Sequence, residues 1–153
     1  MRKAMLKEGK SYDFEIRKLI KLSDEQNYFI LIGPYGKKYL MFDSYYLGYG
    51  MKSGDTINCK VNKINCNGKI FLEPAHPYYK IGQEYEFEFT AIKEIENSKK
   101  VKQCILFVND PYKSTAFIPG IEKSVYKKYL SGKVIAKVEN IKKARLYLKV
   151  DVE

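Results

Sequence analysis

The chain has 153 residues, 45% of them apolar and 30% charged, with a formal net charge of +10. That composition excludes a disordered chain, and no apolar run approaches the roughly 18 residues of a membrane helix. The opening MRKAMLKEGK has no apolar core for a signal peptide, and Cys59, Cys66 and Cys104 form no CxxC or Cys/His cluster; the expectation is a soluble cytoplasmic protein with reduced thiols, no metal and no cofactor.

In chain order, Tyr12, Phe14 and Ile16 alternate with Asp13, Glu15 and Arg17. This period of two predicts a first strand with one buried face. Strands two and three are expected at 28–32 and 38–42. A fourth carries Ile57, Cys59 and Val61 inward, and a fifth runs over 69–73. The turn-forming stretches SDEQN, GPYG, KSGD and NCNG separate them. SYYLGYGMKSG, after strand three, reads as an irregular turn whose Tyr45, Tyr46 and Tyr49 either pack the barrel end or line an interface between barrels. Residues from about 74 to 82 read as a linker, since Pro74 and Pro77 resist strand continuation. The only histidine, His76, lies between them as an exposed spacer, and Tyr78 and Tyr79 are expected to pack where the two halves meet. Five further strands follow near 84–93, 103–109, 114–118, 133–141 and 145–151. A helix is expected over 121–132, with Ile121, Val125 and Tyr129 on one face and Gly132 as its stop.

The second set repeats the first. KEGKSYDFEI matches KIGQEYEFEF, Pro34-Tyr35 matches Pro111-Tyr112, and KIFLE matches RLYLK. Ile57, Cys59, Val61 and Ile64 correspond to Val134, Ala136, Val138 and Ile141. Residues 1–79 carry 13 basic and 8 acidic groups, and residues 80–153 carry 15 and 10, so each half has the same excess of five positive charges.

Five strands with a helix or turn between the third and fourth is the order of an OB fold, whose closure removes exposed strand edges. The expected fold class is therefore all-β with one short helix: two tandem five-stranded OB-fold barrels, 1–75 and 80–153. Each half resembles the S-one RNA-binding domain of ribosomal proteins. The resemblance rests on the glycines that lead into strand one, Gly9 and Gly82, and on KSGDTINCKV and SGKVIAKV before strand four. The family's glycine–aromatic signature in strand two and its histidine in strand three are absent. The whole chain also resembles an uncharacterised bacterial group of tandem barrels with a Pro-x-His-Pro-Tyr junction.

OB barrels bind ligands along the outer face of strands two and three and the flanking loops. With Leu40 and Phe42 assigned inward, Tyr39 and Met41 turn outward, joined by Phe29 and Leu31. Tyr35, Lys37 and Lys38 lie on or beside the adjoining turn. A register slip of one residue exchanges Phe29 for Tyr28 and buries these candidates. In the second half, Ala116 and Ile118 stand at the places of Tyr39 and Met41, leaving Phe107, Tyr112 and Lys113. Its loops add Lys99, Lys100, Lys142, Lys143 and Arg145. Aromatic rings among lysines are what stacking on bases and neutralising phosphates require.

The expected function is non-catalytic binding of single-stranded nucleic acid, RNA before DNA. No GxSxG, phosphate-binding glycine loop or HExxH is present. Lysine-rich composition alone is weaker support: 25 of the 28 basic residues are lysine, as an AT-rich genome produces. The alternative is a protein-interaction module docking on a larger enzyme or a ribosomal partner. An exposed apolar patch without a basic rim favours that reading, and a positively walled surface favours nucleic acid.

Overall fold

The structure, a computed structural model, describes residues 5–96, 102–118 and 132–150. Two compact units divide between Pro77 and Tyr78. Unit 1 holds β1 (Ser11–Lys21), β2 (Asn27–Ile32), β3 (Lys38–Phe42), a 3-10 helix (Ser44–Tyr49), β4 (Thr56–Ile64) and β5 (Ile70–Pro74). Unit 2 holds β6 (Glu84–Glu96), β7 (Lys102–Val108), β8 (Thr115–Ile118), β9 (Lys133–Lys142) and β10 (Arg145–Lys149). The helix expected over 121–132 lies outside the described residues, apart from Gly132. The irregular turn expected after β3 is the 3-10 helix. Among the described residues no helix is long and apolar enough to cross a membrane.

The fold is all-β, and the two units close to different extents. Unit 2 is a closed five-stranded barrel in the order β10-β8-β7-β6-β9, compatible with an OB fold. Parallel pairing of Leu146 with Ala116 and Tyr147 with Phe117 completes it. Unit 1 is a sheet in the order β3-β2-β1-β4-β5. Its outer strands approach within 8 Å between Cα atoms but form no ladder. The expectation of two closed barrels is therefore met in unit 2 only. Pro74 at the end of β5 offers no amide to a neighbour, in keeping with an edge strand.

The repeat seen in the sequence recurs in the backbone. Long first strands must serve two neighbours, and a bulge bends each one to do so. It falls between Ile16 and Lys18 in β1 and between Phe89 and Ala91 in β6. Gly9 donates to the Val61 carbonyl at 2.8 Å, and Gly82 to Val138 at 2.7 Å. Both glycines have positive φ, +85° and +89°, which a side chain would resist. The Lys7 amide donates to Tyr12 Oη, and the Lys80 amide to Tyr85 Oη.

Inward alternation builds each core. Phe14, Ile16, Leu31, Cys59 and Val61 fill unit 1, and Phe87, Leu106, Val138, Leu146 and Leu148 fill unit 2. Unit 1 also buries a polar group beneath its 3-10 helix. Glu73 is 6% exposed and accepts a hydrogen bond from Tyr46 Oη at 3.0 Å. The Tyr49 ring packs edge-on against His76, with centroids 5.2 Å apart. His76 is itself 9% exposed, so the exposed spacer expected from its flanking prolines is instead a packed residue. Tyr79 belongs to the core of unit 2, and its hydroxyl donates to Asp110 at 2.9 Å.

These buried acids set a pH response. Burial, with Glu73 second, holds the Tyr46 and Tyr49 phenols well above the usual tyrosine range. Burial and the bond to Asp110 do the same for Tyr79. Burial pushes the Cys59 thiol up to about 12. Each folded-state value lies above the unfolded one, so the stabilisation is complete below the unfolded pKa. It is lost as pH rises through roughly 10 and beyond, where the unfolded phenols ionise first. Melting temperatures measured across the alkaline range should be level to about pH 9 and then fall. A level profile to about pH 11 would contradict this protonation scheme.

Candidate nucleic-acid interface

The outer face of unit 2 follows from what its inner face must hold. Ala116 and Ile118 point inward on β8, as do Leu146 and Leu148 on β10. Alternation therefore turns Phe117 and Tyr147 outward. The parallel pairing that closes the barrel places these two rings side by side, with centroids 5.2 Å apart and planes 15° from parallel. Such offset stacking contributes about 1 kcal/mol beyond the area it covers. The Arg145 guanidinium lies 5.6 Å from the Phe117 ring centre, and Lys142 Nζ lies 5.9 Å from that of Tyr147.

Cross-strand pairing extends the rings into a row. Lys93 pairs with Ile105, Ile105 with Phe117, Phe117 with Tyr147, and Tyr147 with Asn140. Exposed Phe107 stands two residues along β7 from Ile105, opposite Thr115. Unit 1 carries the corresponding positions. Lys18 pairs with Ile30, Ile30 with Leu40, and Phe71 with Lys63. Lys69 Nζ sits 5.1 Å from the Phe71 ring centre, as Arg145 sits by Phe117 in unit 2. The unpaired seam leaves Leu40 and Phe71 without the ladder that joins Phe117 to Tyr147.

Several predicted site residues fall elsewhere. Phe29 and Met41 are core residues, 8% and 4% exposed, and face each other inside unit 1. Leu31 is fully buried. Tyr39 is half-buried with its ring edge-to-face against Phe14 at 5.7 Å, and burial raises its phenol pKa. Gly33 provides the space, since a Cβ there would stand 2.9 Å from Tyr39 Cε2. The predicted phase of β2 and β3 is thus reversed. Leu40, expected inside, is 50% exposed. Tyr28 and Phe42 pair on the outside with ring centres 5.5 Å apart, and Tyr45 lies 5.1 Å beyond Phe42.

Tyr35 is exposed on the β2–β3 turn, 6.5 Å from the Tyr12 ring, with Lys37 and Lys38 exposed beside it. Tyr112 is half-buried in a turn organised by Asp110, which accepts from the amides of Tyr112 and Ser114. Lys113 in that turn and Lys143 in the β9–β10 turn both have positive φ, 51° and 52°. Lys99 and Lys100 lie outside the described residues. The structure thus gathers Lys142 and Arg145 around two rings, Phe117 and Tyr147, that the predicted set omits. Their signal was available: small Ala116 suits a barrel interior, and its parity assigns Phe117 to the outside.

These features define an all-β protein of two five-stranded units, one a closed barrel compatible with the OB fold. No family model matches the chain, and no curated protein matches it.

Proposed function

We propose that the chain binds single-stranded nucleic acid, RNA before DNA, without catalysing a reaction on it, and that it acts in the cytoplasm. The two units would be tandem barrels of the S-one type, with unit 1 an incompletely paired version. The observation that carries the reading is the outward pair Phe117 and Tyr147 with Arg145 and Lys142 at their faces. A base would stack on either ring by taking the place of the cation over it, and the displaced cation would neutralise a phosphate. Lys69 beside Phe71 supplies a smaller version in unit 1.

A fluorescent single-stranded RNA titrated at several salt concentrations tests this. Affinity should be measurable at about 50 mM salt, and log K should fall with log salt at a slope near −0.7 per phosphate neutralised. No binding at low salt, or binding indifferent to salt, would sink the reading.

A second reading draws on unit 1. Ile30 and exposed Leu40 form an aliphatic pair on its outer face, which suits a protein partner such as a larger enzyme or a ribosomal protein. Salt-independent association with a protein, retained after nuclease treatment, would favour it.

A further inference from the structure

We propose, resting on the nucleic-acid reading, that unit 2 discriminates between pyrimidines and that Asn140 is the residue that does so, selecting uracil, with a carbonyl at position 4, over cytosine, with an amine there. Asn140 lies opposite Tyr147 in the β9–β10 ladder, so its side chain stands on the same face as the ring. Its position follows from a local irregularity. Glu139 is skipped in the pairing, so Asn140 pairs with Tyr147 while Val138 pairs with Leu148. Val138 and Ile141 both point into the core, and the two residues between them are left on the outside.

The orientation of the amide is fixed by chemistry. The Ile141 amide N–H donates to Asn140 Oδ1 at 2.9 Å. Only the oxygen of an asparagine side chain accepts a hydrogen bond, so the remaining group, the NH2, carries two donors. Nδ2 has no partner among the described residues. A base stacked at Tyr147 therefore meets a donor at its edge. The O4 carbonyl of uracil accepts that donor. The N4 amine of cytosine presents a second donor there and leaves both groups unpaired.

Unit 1 lacks this device. The residue opposite Phe71 is Lys63, an exposed ammonium with no planar amide. It offers charge to a phosphate and no geometric distinction between base edges. At this position the device is present in unit 2 and not in unit 1.

Uracil and cytosine suit the test, because they share ring size and O2 and differ at position 4, with the N3 proton present in uracil and absent in cytosine. O2 lies beside the sugar, whereas the 4-substituent is at the far end of the ring. The experiment compares uridine and cytidine oligomers of about ten nucleotides near neutral pH, a length suited to a single barrel. The protein should bind the uridine oligomer about five-fold more tightly, the worth of one hydrogen bond. Asn140→Ala should bring the ratio to about one. Asn140→Asp keeps an oxygen for the Ile141 amide but replaces the donors with an acceptor, so the ratio should invert. Thermal melting of each variant checks that the barrel is intact. Equal affinities in the parent, a cytidine preference, or a uridine preference that survives both substitutions would overturn the inference while leaving the binding function standing. Failure of both oligomers to bind would overturn the two together.

Discussion

Alanine at both Phe117 and Tyr147 should weaken single-stranded RNA binding about a hundredfold. Stacking is worth roughly 1–3 kcal/mol per base, and 1.4 kcal/mol is a factor of ten in affinity. Two rings near the low end of that range give the stated loss. Both rings lie half-buried on the outer face of the barrel, so melting should fall by their mutual contact, about 1 kcal/mol, and by the apolar area the alanines no longer cover. Tyr147→Phe keeps the stacking surface and should retain affinity. Fluorescence anisotropy with a labelled oligonucleotide measures all three proteins. A double variant that binds like the parent would remove this face from the interface and shift attention to Tyr28, Phe42 and Tyr45 in unit 1.

Phe29→Ala should have the opposite profile, large in stability and small in affinity. Its ring faces Met41 inside unit 1 and is almost wholly buried. Truncating a core phenylalanine costs about 3–5 kcal/mol, because the cavity adds to the lost transfer energy. For a unit of this size each kcal/mol lowers the melting temperature by about 4–8 °C. Leu40→Ala, on the neighbouring strand with its side chain half in solvent, should cost under about 1 kcal/mol. Thermal melts of the two variants side by side decide the matter. A silent Phe29→Ala and an unfolded Leu40→Ala would mean that β2 and β3 present their other faces.

That comparison marks where the sequence was ambiguous. Strand one was legible because Tyr12, Phe14 and Ile16 alternate with charged residues, leaving one choice of face. The segments NYFILI and KYLMF are apolar on both faces. A continuous apolar run has length but no phase, so burial of either set satisfies the pattern. Assigning the aromatics outward resolved it in the wrong direction, since Phe29 and Tyr39 fill the interior end of the sheet while aliphatic Leu40 is exposed. The same parity error passed over Phe117. Asn140 was hidden for another reason: its partner depends on the skipped residue Glu139, and bulges leave no mark on composition. The repeat was legible throughout, because its glycines and alternations recur in one order. The difference in closure was not, because a ladder depends on how two distant edges meet.

The Tyr46–Glu73 hydrogen bond bears on how the two units tolerate substitution. In unit 2 the strands after the seam are joined by backbone groups, which every residue except proline supplies alike. Closure there rests on main-chain bonds, whichever side chains the core and the outer face require. In unit 1 the arm that follows β3 is tied to β5 by a phenol and a buried carboxylate, and that link exists only for those two side chains. Losing either partner removes that bond from a buried site. A chain built from two copies of one plan thus has one half closed by main-chain bonds and one half tied across by two particular side chains.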